Sequence, residues 1–164
     1  MDTELLKQAR DILENLTPLK SDCGQYCGSA CCKDNGEAGS GVWLLPGEGA
    51  DFAPEFLKPG RLPVAGKTVV TLYCGAACDR KKRPYLCRIF PLVPYYSEKK
   101  QAWSVRMDRR AAQICPLFSM GTKALCPAFT EGVRQSVQLL ASDPEWEAVL
   151  KTLAAEEEAY HFTL

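Results

Sequence analysis

Nine cysteines in 164 residues dominate the chemistry open to this chain. Four fall within "SDCGQYCGSACCKD": Cys23, Cys27, Cys31 and Cys32, spaced C-x3-C-x3-CC with the last two adjacent. Cys74, Cys78 and Cys87 follow as C-x3-C-x8-C, and Cys115 and Cys126 stand later, each before a proline. Thiols form disulfides, act as nucleophiles, or bind soft metals as thiolates. Short loops carrying two thiols at this spacing direct both at one ion, and a second short pair completes a tetrahedral shell. Iron–sulfur clusters use the same ligand, so zinc and iron both stay open. The single histidine is His161, so a metal site here is all-cysteine or supplemented by carboxylate.

The first residues, "MDTELLKQARDILENL", lack the basic start and apolar core of a secretory signal. The expected compartment is therefore cytoplasmic, where structural disulfides are uncommon. An odd cysteine count would also leave one thiol over from a disulfide framework. Metal is the favoured reading of the cysteines. Adjacent side chains diverge on a strand or a helix, so one ion would take both Cys31 and Cys32 only with a strained backbone. The expectation is that one is a ligand while the other faces a second site or caps the first. A small buried core residue is the plain alternative for either.

Arg83 and Arg88 bracket Cys87. Guanidinium forks there would hold backbone carbonyls and offset thiolate charge; orienting an anionic ligand is the less favoured alternative. Cys126 precedes Pro127 at a predicted helix start, which makes it the candidate free, reactive thiol. Other catalytic patterns are weak. "GKT" at Gly66 to Thr68 has its upstream glycine one residue too far for a phosphate loop, and a strand pattern follows it. A serine–histidine–carboxylate triad would have to use His161, and no H-E-x-x-H occurs.

A net charge of zero hides segregation: residues 1–57 sum to −6, residues 58–134 to +11 and residues 135–164 to −5. The basic segment 58–134 could attract nucleic acid or an acidic partner, and its aromatic residues could stack on bases. Neutralising thiolate-rich metal sites and filling a core are the favoured explanations. No apolar run approaches the roughly 20 residues of a membrane span, so no membrane partner is expected.

The motifs "CGQYCGSACC" and "YCGAACDRKKRPYLCRIFPLVP", with a later "CP", resemble a prokaryotic cysteine-cluster family described as zinc- or iron-chelating and named for its CxxCxxCC motif. Its second segment, C…C…RP…CR-x-[YF]-P, is similar to Arg83–Pro84, Cys87–Arg88 and Phe90–Pro91 here. The resemblance implies Cys23, Cys27, Cys31, Cys32, Cys74, Cys78, Cys87 and Cys115 as metal ligands, with Cys126 as the extra thiol. This chain spaces its first cysteines by three residues where the family name has two, and the segment from Cys74 to Cys78 looks shortened. The resemblance extends to flagellin lysine N-methylases, which implies iron–sulfur redox or methyl-transfer chemistry as an alternative. The radical-SAM spacing C-x3-C-x2-C is missed by one residue, and 164 residues is short for that barrel.

The elements that must position these residues follow from periodicity. Apolar residues Leu5, Leu6, Ala9, Ile12, Leu13 and Leu16 predict an amphipathic helix over the first sixteen residues, stopped by Pro18. "GVWLLP" and "KTVVTLY" read as strands, with the second leading into Cys74. Residues 47–66, rich in glycine and proline, read as loop with a helical turn around Phe52 to Leu57. "PLVPYY" and "QAWSVRM" predict a hairpin around "SEKK". "PAFTEGVRQSVQLL" and "DPEWEAVLKTLAAEEEAY" predict two terminal helices, the latter capped by Asp143. Residues 1–164 thus predict one α+β domain, helices at both ends of a short antiparallel sheet and long loops, stapled by cysteine-bound metal. Stripping that metal would unfold such a module.

Overall fold

In a computed structural model of the protein, described at residues 1–33, 41–52, 57–64, 67–72 and 80–160, Asp2 caps the first helix by accepting the Glu4 N–H at 2.8 Å. This helix, α1 (Thr3–Ile12), buries Leu6 and Ala9. It stops four residues before the predicted end. Leu13 and Leu16 continue as tight turns with i→i+3 hydrogen bonds. Leu13 and Leu16 still pack inward. Gly132 of a later helix faces Leu16, and a methyl there would run into Leu16 Cδ1.

Two short helical pieces follow, α2 (Gly24–Cys27) and a 3-10 turn at Ala30–Cys32. Strands β1 (Val42–Leu44), β2 (Leu57–Val64) and β3 (Lys67–Leu72) form an antiparallel sheet in the order β1-β3-β2. The sequence reading made 47–66 a loop, and β2 corrects it. Pro59 and Pro63 lack a ladder donor, which an edge strand tolerates, and the register slips between them. The predicted turn near Phe52 falls mainly on residues 53–56, outside the described residues.

After a 3-10 turn at Arg80–Lys82 comes α3 (Tyr85–Ile89), a helix the sequence pattern did not reveal. Strands β4 (Leu92–Ser97) and β5 (Ala102–Met107) pair as the predicted hairpin, in register from Leu92↔Met107 to Ser97↔Ala102. Tyr96 faces Trp103 across it, ring edge to ring face at 5.7 Å. The chain then turns through Arg109–Gln113 and α4 (Leu117–Met120) into two long helices, α5 (Pro127–Leu140) and α6 (Pro144–Ala159). Both match the predicted bounds. Asp143 caps α6, accepting the N–H groups of Glu145 and Trp146 at 2.9 and 3.0 Å.

One apolar cluster joins α1, α3, the β4–β5 hairpin, α5 and α6 through Leu6, Leu13, Tyr85, Trp103, Phe129 and Trp146 among others. Each such side chain contributes roughly 1.5–3 kcal/mol on burial. The fold is α+β, with two small antiparallel sheets between helices at the two ends. Among the described residues, no helix is long and apolar enough to cross a membrane.

Candidate metal centre

Three separated stretches bring thiols to one cavity of about 50 Å³. The segment through α2 and the following 3-10 turn contributes Cys23, Cys27 and Cys31; α3 contributes Cys87; the turn before α4 contributes Cys115. Leu13, Leu16, Phe90 and Leu117 supply apolar wall, while Arg83 and Arg88 supply charge. A second cavity of about 160 Å³ adjoins it, sharing Cys31, Cys87 and Arg83 and adding Cys32 and Lys33. Cys74 and Cys78 lie outside the described residues, as does His161.

Local backbone explains the first group. Gly28 and Ser29 both adopt left-handed conformations, at φ 63° and 58°, and turn the chain sharply between Cys27 and Cys31. For Ser29 that conformation is strained, a cost that recurs at functional positions. The sulfurs of Cys31 and Cys32 end 4.0 Å apart. The two sulfurs of a tetrahedral zinc dithiolate sit about 3.8 Å apart, given Zn–S bonds near 2.3 Å. Adjacency therefore does not separate the two thiols as expected. The strain sits upstream, at Ser29, and leaves the pair itself able to converge. Cys32 nonetheless lines only the outer cavity.

Burial is the main force on the Cys23 and Cys115 thiols, and it favours their neutral forms. It pushes the Cys23 thiol up, reinforced by Asp22, Cys27 and Cys115 and opposed by Arg83. Cys31 is raised chiefly by its hydrogen bond with Cys32, then by burial and by the charges of Cys32, Cys23 and Cys27. Cys115 is raised by burial and by Cys27, while the backbone N–H groups of Leu117 and Phe118 donate to its sulfur and pull the other way. Cys23 and Cys27 thus each interact electrostatically with Cys31 and with Cys115. Among the described residues, Cys23, Cys27, Cys31, Cys115 and Cys126 are free thiols. Among the described residues, no three cysteine, histidine, aspartate or glutamate side chains form a ready-made group able to hold a metal ion. The thiols share a wall; they do not yet close a shell.

The arginines divide their work. Arg88 donates to the carbonyls of Arg83 and Lys81, both at 2.9 Å, and of Arg10 at 3.4 Å. This is the carbonyl-holding role expected from sequence. The charge of Arg83 pulls the Cys23 thiol down, against the larger effects of burial, Asp22, Cys27 and Cys115. Cys126 sits at the N-cap of α5 as predicted and lines neither cavity, although its N–H donates at 2.7 Å to the carbonyl of Pro18, which lines the inner one.

Sequence reasoning missed Glu48. Only 1% exposed, it accepts the Tyr85 N–H at 2.7 Å and the Leu45 N–H at 2.9 Å, with Arg10 at 3.9 Å. Burial pushes its carboxyl above the usual range, against those hydrogen bonds and the Arg10 and Arg88 charges. It thereby ties the loop after β1 to the start of the helix that carries Cys87. No local pattern announces such a residue, because its partner lies 37 positions away.

The chain matches no family model, and neither curated proteins nor solved structures match it. The family resemblance therefore stands on the cysteine motifs alone.

Proposed function

We propose that this protein is a metal-binding module that chelates zinc through cysteine thiolates, with iron, alone or as an iron–sulfur cluster, as the alternative occupant. One observation carries the reading: Cys23, Cys27, Cys31, Cys87 and Cys115 line a single cavity although they come from three distant stretches. The donor set fits a soft divalent metal, because thiolates bind zinc and iron preferentially. Cys23, Cys27, Cys31 and Cys115 would hold the ion, with Cys87 on the same wall. The motifs imply Cys74 and Cys78 as further ligands; Cys32, which they also imply, lines only the outer cavity. A bound ion supplies charge that lets buried thiols ionise. The chain's own part is to gather the thiols, balance their charge with Arg83 and Arg88, and keep the wall apolar.

Binding rather than catalysis is our reading, and the nucleic-acid alternative is the weaker one. Arg106 and Arg109 of the basic segment pair with Glu157, and Arg110 pairs with Asp108 at 2.6 Å. Those charges are already engaged within the chain.

Metal analysis with an ultraviolet–visible spectrum on anaerobically purified protein tests the proposal. A colourless protein with one or two zinc ions per chain is the expected result, a range set by four thiolates per tetrahedral site and about eight candidate ligands. Brown protein with iron and labile sulfide would move the function to redox or methyl-transfer chemistry. Metal-free protein with paired cysteines would overturn the reading.

A further inference from the structure

The geometry points to Cys31 and Cys32 as an exchange port, a dithiol that takes zinc from solvent and passes it to the inner thiols, so that the metal is exchangeable cargo. This rests on the zinc reading above.

Three observations carry it. First, Cys31 is exposed, whereas Cys32, Cys23, Cys27 and Cys115 are all partly covered, so Cys31 is the thiol that meets solvent. Second, Cys31 lines both cavities, and Cys32 lines only the outer, larger one. A thiol shared between two compartments can keep its bond to an ion while the other ligands change. Third, the 4.0 Å separation of the two sulfurs already suits a shared ion, so capture needs little rearrangement. Lys33 and Arg83 on the outer wall offset the charge of the dithiolate.

The transfer is ligand exchange without redox change. As zinc is captured, each of Cys31 and Cys32 gives its thiol proton to solvent, and a water leaves the ion for each sulfur bond formed. Zinc stays divalent throughout. As the ion moves inward, the Cys31 bond is kept and the Cys32 bond breaks. Cys32 then regains a proton from solvent. Cys23 or Cys27, the inner thiols within the field of Cys31, loses one as its sulfur bonds.

Zinc-loaded wild type, Cys32→Ser and Cys32→Ala are mixed with excess chromogenic chelator in a stopped-flow instrument, and zinc per chain is counted beforehand. Cys126→Ser, whose side chain lines neither cavity, is the control. The port predicts unchanged zinc content in both Cys32 variants, with release slowed by at least about fivefold, and wild-type rates for Cys126→Ser. Slowing below that limit overturns the port. Loss of a zinc ion in the Cys32 variants also overturns it, because Cys32 would then be a resident ligand. Wild type that takes up no zinc overturns the port and the zinc reading together, an outcome distinct from equal rates.

Discussion

Glu48 joins the loop after β1 to the start of the helix that carries Cys87. Its two oxygens satisfy one backbone N–H after β1 and another at the start of α3. Truncation would leave both donors buried without a partner, each worth about 1–3 kcal/mol. Glu48→Ala is therefore expected to lower unfolding free energy by about 2–4 kcal/mol in urea titrations. Glu48→Gln, which keeps one acceptor, should lose about half of that. A Glu48→Ala protein as stable as wild type would mean that the α3 attachment does not depend on this carboxylate. Arg88 was easier to anticipate, since an arginine beside a cysteine in a motif has few uses, and holding carbonyls is one. Cys126 was likewise legible, because a proline at a helix start identifies its neighbour as the cap. Glu48 looked like any acidic residue in a glycine-rich loop.

At the level of elements, the glutamates near the end of α6 oppose that helix's dipole, and the structure explains their presence. Glu157 is fully buried and meets Arg106 at 2.6 Å and the Arg109 N–H at 3.0 Å, tying α6 to the β4–β5 hairpin and the turn after it. Glu158, 60% exposed, reaches the same Arg106 at 3.2 Å. Glu157→Ala is expected to cost about 2–3 kcal/mol, below the full penalty for a buried pair because Arg106 can rehydrate. Glu158→Ala should change stability by less than about 0.5 kcal/mol. Equal losses in the two variants, read from urea midpoints, would contradict the burial argument. Periodicity made α5, α6 and the hairpin legible, since each buries one face against the core. β2 escaped because its prolines and glycine mimic a loop, and only its edge position makes them tolerable. α3 escaped because five residues are too few to display a helical period.

At the scale of the molecule, no described cysteine is a member of the fully buried apolar cluster; Cys23, Cys115 and Cys126 pack against its margin. The helices and hairpin are thus held by apolar packing, while the cysteine-bearing segment around α2 has no fully buried side chain of its own. Metal removal is therefore expected to leave most of the far-ultraviolet circular dichroism intact while exposing residues 17–33 to limited proteolysis, a local opening. Collapse of the whole helical signal on chelation would instead restore the expectation of a domain stapled by its metal.

The pairing of α6 with the basic middle has a practical corollary for anyone shortening this chain. Residues 135–164 carry −5 of a total charge of zero, all of it beyond residue 142, so a fragment ending there would carry +5. It would also uncover Arg106 and Arg109, which Glu157 now occupies. Such a fragment would adhere to any polyanion present. Its nucleic-acid affinity would be manufactured by the cut, and would report on the missing helix rather than on the protein.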